Sequence, residues 1–206
     1  MQVERSLCCK VRSVDGTIYI NEPDTSTTMQ IEIFTEDSGT TADLESVGQA
    51  KEFFKGGFLP VVDLANQIGQ PGDVKIHILS EEYGYLQGSD STSELKPTGG
   101  DGTEAARDFS EAMSNASQTA DVMVILLSKS AFEETVTEQW EALVSNTKPS
   151  TIWCIGASRS ALSSVDVEKL RSKIDDVIVY QRVGVARIST EYKDELIEAV
   201  DQASDE

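Results

Sequence analysis

Apolar residues recur along the chain with two different spacings, and the spacing alternates from segment to segment. Short apolar or alternating runs, typical of β-strands, occupy residues 3–9, 17–20, 29–35, 74–79, 121–127, 151–155 and 177–180. Apolar positions three and four residues apart predict helices over residues 44–54, 59–68, 103–117, 131–145, 165–172 and 191–202. Strands that alternate with helices of this length are typical of βαβ units, so the pattern predicts an α/β fold.

The central strand runs are apolar at nearly every position, most clearly from Val122 to Leu127. Strands covered on both faces have this pattern, so we predict a Rossmann-like, mainly parallel sheet with helices on both faces. No linker divides the chain, and we expect one α/β domain over residues 1–206. No helix separates residues 17–20 from 29–35, which also allows a β-hairpin insertion near the N-terminus. Residues 88–102 form the one long predicted loop, typical of a lid, a binding loop or a disordered segment.

Acidic residues outnumber basic ones along the whole chain, 36 against 17, which gives a formal net charge of −19. A uniform excess of this kind is typical of haloarchaeal-type acidic proteins, whose surfaces stay hydrated in strong salt. At molar salt the Debye length falls to about 3 Å, so the self-repulsion is mostly screened. The charge also disfavours nucleic acid as a partner, because it repels phosphates. An acidic surface that docks on a basic protein partner is the alternative interpretation.

Several site classes are disfavoured by what the sequence lacks. The three cysteines, Cys8, Cys9 and Cys154, have no CxxC spacing, and the lone histidine, His77, lies within a predicted strand. We therefore expect no metal site, no Ser-His-Asp triad and no cofactor. Neither a GxGxxG nor a GxxxxGK[ST] motif occurs. No apolar run approaches the roughly 20 residues that span a bilayer, and the N-terminus lacks a signal-peptide core, so we expect a cytoplasmic protein without a membrane segment.

Small, hydroxylated and basic residues follow the predicted strands where each one ends. In an open parallel sheet this edge is where ligands bind, and arginine or a helix N-terminus favours anions there. Glu81 is the candidate acid–base residue, and Tyr83 would stack on the ligand. Ser158 also fits a second interpretation, as an ordinary helix N-cap. The candidate ligand-binding residues are Lys10, Arg12, Ser80, Tyr83, Ser158 and Arg159.

Three segments in order along the first 130 residues carry a family resemblance. They are Cys8-Cys9-Lys10-Val11-Arg12, then residues 50–58 (AKEFFKGGF), then residues 78–86 (ILSEEYGYL). Together they resemble the YaaA-like family (the DUF6884 group). The chain departs from that family's pattern at Phe54, where tyrosine is more usual, and at residues 94–100, where a segment with proline and tyrosine is expected. The resemblance implies a Rossmann-like core and work on nucleic acids or modified bases.

The function expected from these patterns is the binding of a small anionic or nucleobase-type ligand at the strand carboxyl ends. The resemblance adds nucleic-acid modification or stress response as the setting. Two alternatives stay open. One is a non-enzymatic acidic partner or regulatory protein. The other is a uroporphyrinogen-III-synthase-like enzyme, since residues 156–162 and 189–200 are similar in layout to half of that protein.

Overall fold

The described part of the protein is built on one six-stranded, mostly parallel β-sheet. The computed structural model describes residues 13–14, 17–18, 28–69, 72–99, 102–182 and 187–205. The predicted α/β class is confirmed. The strands of the sheet are β3 (Met29–Glu36), β4 (Gly72–Ser80), β5 (Gly84–Gln87), β6 (Val122–Leu126), β7 (Ile152–Ala157) and β8 (Val177–Gln181).

The spatial order of the sheet is β5-β4-β3-β6-β7-β8. All neighbouring pairs are parallel except β4 and β5, which are antiparallel. The chain leaves β3 for β4 on one side, and β6 then returns to the other side of β3. The connections after β3 and β6 therefore diverge from neighbouring strand ends, and such a switch point is where open α/β sheets place their ligand sites.

The prediction that the central strands are covered on both faces is confirmed by β6. Val122, Val124 and Leu126 face a core shared with the helices α1 (Ala50–Phe53), α2 (Leu59–Ile68) and α8 (Thr190–Ser204). Met123 and Ile125 face a second core, on the opposite side of the sheet. All five side chains are fully buried, which explains why the run has no polar position.

The second core packs beneath a different set of helices. Its helices are α3 (Gly102–Thr119), α4 (Lys129–Phe132), α5 (Trp140–Asn146), α6 (Arg159–Leu162) and α7 (Val167–Arg171). A π-helical turn at Glu133–Thr137 follows α4, so the predicted helix 131–145 is interrupted. The predicted helix 44–54 is also wrong in extent, since a 3-10 turn (Leu44–Ser46) precedes the single turn of α1. No helix in the described ranges is long and apolar enough to cross a membrane.

The region predicted as one long loop, residues 88–102, is tied to the body of the protein over its first part. The Thr92 hydroxyl donates to the Val47 carbonyl oxygen (2.6 Å), and the Ala50 amide donates to the Asp90 carbonyl oxygen (2.8 Å). Strand β5, which precedes this region, was not predicted. It is only four residues long, too short for its alternation to be recognised as a strand from the sequence.

Near the N-terminus, β1 (Ser13–Val14) pairs antiparallel with β2 (Thr17–Ile18). The predicted strand 3–9 lies outside the described residues. Residues 29–35 do not pair with this region; they belong to β3, which is hydrogen-bonded to β4 and β6 inside the main sheet. The first strand of the sheet therefore ends at Glu36.

Candidate functional site

Glu36, at the carboxyl end of β3, lies beside two arginines that follow the edge strand β8. Arg187 Nη1 lies 3.1 Å from Glu36 Oε2, and Arg182 Nη1 lies 3.9 Å from the same oxygen. The backbone N–H of Ser128, just beyond β6, also donates to this carboxylate. Arg187 additionally donates to the carbonyl oxygen of Asp37, so its guanidinium closes the end of β3. We call Glu36, Asp37, Ser80, Ser128, Arg182 and Arg187 the strand-end cluster.

Asp37 joins the cluster to the end of β4. The Ser80 hydroxyl donates to Asp37 Oδ2 (2.5 Å) and accepts from the backbone N–H of Tyr83 (3.1 Å). Burial raises the pKa of Asp37 above its ordinary value, and nearby Glu81 and Glu36 act in the same direction. The Ser80 hydrogen bond and the charge of Arg187 oppose this rise. A carboxyl with a raised pKa beside a hydroxyl is suited to proton transfer or to accepting a ligand's donor groups.

The raised pKa of Asp37 has a consequence for stability. A carboxyl whose pKa is higher in the folded state stabilises the fold at low pH, and that contribution is lost as pH rises through the folded-state pKa. Asp37→Asn should therefore remove this loss and raise the free energy of unfolding at neutral pH by less than about 1 kcal/mol, given solvent screening. Urea unfolding from pH 4 to 8 measures it, with Asp201→Asn on the exposed side of α8 as control. A variant that is less stable than the wild type at neutral pH would contradict the expectation.

Arg182 is the least satisfied member of the strand-end cluster. Its side chain is only 13% exposed, and burial lowers its pKa. Its Nε and Nη1 atoms are buried and have no hydrogen-bond partner among the described residues. Buried guanidinium donors without partners are costly, so this site is suited to an incoming acceptor.

The loop that carries Arg187 is held by an aromatic pair on β8 and α8. The Tyr180 hydroxyl donates to the Arg187 carbonyl oxygen (2.6 Å), and its ring stacks on Tyr192 at a centroid distance of 4.4 Å. Tyr180 lies directly over Gly156 of β7, where an added Cβ would overlap the phenol ring. Gly156 thus makes room for the tyrosine that fixes Arg187.

The predicted site residues divide into three groups. Ser80, Glu81 and Tyr83 lie together beside Asp37, with Glu81 exposed in the turn after β4. The Tyr83 ring packs edge-on against Phe53 at a centroid distance of 5.6 Å, and its expected stacking on a ligand stays a prediction. Lys10 and Arg12 lie outside the described residues.

The third group is Ser158 and Arg159, at the start of α6. The Ser158 hydroxyl accepts from the Ala161 N–H (3.2 Å), which is the N-cap role named as its alternative. Arg159 is exposed, and no hydrogen bond or ion pair in the described ranges links either residue to the strand-end cluster. The cluster's cations are instead Arg182 and Arg187, which follow the next strand.

Sequence reasoning missed Glu36, Asp37 and Arg187 as site residues. Glu36 and Asp37 directly follow the predicted strand 29–35, so the strand-end rule would have found them had that strand not been considered part of a hairpin. Arg187 is a single cation between β8 and α8, and no local pattern marks it. Within the described ranges, no group of three or more His, Cys, Asp or Glu side chains has a geometry that could hold a metal ion.

Comparisons of the chain with protein-family models, with curated proteins and with solved structures give no match.

Proposed function

We propose that this chain is a Rossmann-like protein that binds a small anionic or nucleobase-type ligand at the strand-end cluster. In this proposal β1 and β2 form a hairpin inserted ahead of the sheet. The observation that carries the proposal is Arg182, whose buried donors lack hydrogen-bond partners among the described residues. Its guanidinium lies 3.9 Å from Glu36, which follows β3 at the switch point between β3 and β6. An anionic group of the ligand would accept those donors.

The rest of the cluster is suited to the neutral part of such a ligand. Arginine binds phosphate and carboxylate groups through paired N–H donors, whereas Asp37 and Glu36 accept from amino or hydroxyl groups. Arg187 is already engaged with Glu36 and with the Asp37 carbonyl oxygen, so it holds the Glu36 carboxylate and the Asp37 backbone in place. A nucleotide or modified base with an anionic group has both kinds of chemistry in one molecule.

The contact between two segments of the family resemblance supports a YaaA-like assignment within this proposal. Phe53 and Phe54, in the second segment, both pack edge-on against Tyr83 in the third. Tyr83 in turn donates its backbone N–H to Ser80 of the cluster. The two segments thus form one structural unit beside the proposed site.

Arg182→Met tests the proposal because methionine fills a similar volume without the unpaired donors. Replacing a poorly satisfied buried charge by an apolar side chain is often neutral or stabilising, so the unliganded variant should be as stable as wild type or gain about 1 kcal/mol. Ligand affinity should fall about tenfold or more, since the charged partner is lost. Thermal-shift titrations in molar salt with inorganic phosphate, nucleoside monophosphates, nucleosides and free nucleobases measure both quantities.

The matched control is Arg171→Met, in which the exposed Arg171–Glu168 ion pair of α7 is removed. This variant should bind the same probes as the wild type does. A panel that leaves the melting temperature of the folded wild-type protein unchanged would overturn the proposal. Equal binding by the Arg182→Met variant would also overturn it.

A further inference from the structure

A second polar group lies away from the strand-end cluster, in the middle of the sheet beneath α3. His77 on β4 is 5% exposed, and both of its ring nitrogens have partners. Nε2 lies 2.7 Å from Glu32 Oε2 on β3, and Nδ1 lies 2.6 Å from the Tyr85 hydroxyl on β5. The three side chains thus form a continuous hydrogen-bonded chain across neighbouring strands.

Glu32 and Tyr85 lie at the two ends of this chain of hydrogen bonds, and their charge states set the direction of the bonds. Burial alone would raise the pKa of Glu32, but hydrogen bonds from His77 and Lys75 and the charge of Lys75 hold it below its ordinary value. The ionised Glu32 accepts from Nε2–H, so in the tautomer that accepts from the Tyr85 hydroxyl the lone pair lies on Nδ1. Burial raises the pKa of Tyr85 to about 12, so the phenol keeps its proton and donates it to Nδ1.

The Tyr85 oxygen is therefore an acceptor toward any further partner. Its one proton is committed to His77 and one lone pair accepts from the Gln87 amide, which leaves the other lone pair for a ligand. A fixed acceptor of this kind selects for ligands that bring their own O–H or N–H donor.

A cleft of about 420 Å³ lies over these groups, between the sheet and the C-terminal half of α3. Over the cleft, α3 carries the small side chains of Ala112 and Ala116, which leave space above the sheet. The larger side chains of Phe109 and Met113, on the same helix, are fully buried in the core. Lys75, half-exposed and 3.0 Å from Glu32, supplies a cation to the cleft. The remaining lining residues are polar: Gln87, Asn115, Gln118 and Thr119.

We propose that this α3 cleft is a binding site for a small neutral weak acid, such as a phenol, an enol or a heterocyclic amide, that donates its O–H or N–H to Tyr85. The size of the cleft suits one ring-sized molecule, and its amide side chains suit the rest of a polar ligand. Burying three hydrogen-bonded polar side chains in an otherwise apolar core layer costs free energy. The proposed site gives these side chains a function, because they present a fixed acceptor to the cleft.

The same chain of hydrogen bonds can take the ligand's proton. The ligand's O–H or N–H bond breaks as its proton passes to the Tyr85 oxygen, and the original Tyr85 O–H bond breaks as that proton passes to His77 Nδ1. The ligand becomes an anion and His77 an imidazolium, with no other reactant consumed. Glu32 stabilises the imidazolium, and Lys75 stabilises the anion.

The single histidine of the chain makes the test direct, because ¹⁵N NMR of the imidazole reports His77 alone. Nε2 should be protonated and Nδ1 an acceptor in the free protein at neutral pH. Adding 4-nitrophenol should shift both ¹⁵N resonances, whereas 4-nitroanisole, which lacks the O–H donor, should leave them unchanged. Tyr85→Phe should weaken 4-nitrophenol binding about tenfold or more.

Tyr192→Phe, on the opposite face of the sheet, is the control and should bind 4-nitrophenol like the wild type. The proposal is overturned if Nδ1 carries the proton in place of Nε2, or if 4-nitrophenol shifts neither resonance. Equal effects of 4-nitrophenol and 4-nitroanisole, or full binding by the Tyr85→Phe variant, would overturn it as well.

Discussion

Arg187→Ala is expected to lower the free energy of unfolding by about 3 kcal/mol, the largest effect of a single side-chain truncation in the strand-end cluster. The Arg187 guanidinium is 10% exposed, and it neutralises Glu36 while donating to the Asp37 carbonyl oxygen. Truncation leaves a partly buried carboxylate and a carbonyl oxygen without their arginine donor, which costs more than the loss of a surface ion pair. Urea unfolding at neutral pH measures the change.

Two companion variants separate this cause from a general effect of losing an arginine. Arg171→Ala removes an ion pair on α7 that is 46% and 79% exposed, and it should cost less than about 1 kcal/mol. Combining Arg187→Ala with Glu36→Gln should recover part of the loss, since the unpaired charge is then gone. Equal destabilisation by Arg187→Ala and Arg171→Ala would show that the Glu36–Arg187 contact is not important for stability.

Gly156→Ala is expected to cost about 3 kcal/mol, although it adds a single methyl group. The added Cβ would overlap the ring and hydroxyl of Tyr180, which faces Gly156 across the β7–β8 pair. Tyr180 must then shift, which breaks its stacking on Tyr192 and its hydrogen bond to the Arg187 carbonyl oxygen. Overpacking of this kind in a buried layer is destabilising because the surrounding side chains cannot yield.

The matched control is Gly102→Ala at the start of α3, where no atom of the described residues lies within 4 Å of an added Cβ. Alanine there should be neutral or slightly stabilising, since it favours the helix. Thermal unfolding of both variants in the same molar-salt buffer gives the comparison. Similar melting temperatures for the two would mean that Tyr180 is free to move away from Gly156.

Gly156 also illustrates the limit of motif reasoning at this site. It follows a predicted strand, at the edge where small residues were expected to help bind a ligand, and the structure shows that its missing side chain makes room for Tyr180. Ser158, two residues later, caps α6 and belongs to the local helix signal that sequence patterns report well. Neither role depends on a ligand.

The sequence by itself determined the α/β alternation, the strands buried on both faces and the part of the site that follows β4. These features are local, because burial imposes a spacing on the apolar residues of each strand and helix, and a turn residue such as Ser80 stays next to the strand that it ends. The tertiary structure alone decided which strand ends meet. Glu36 and Arg187 are 151 residues apart, and Glu32 and His77 are 45 apart, so their contacts depend on a strand order that apolar spacing does not encode.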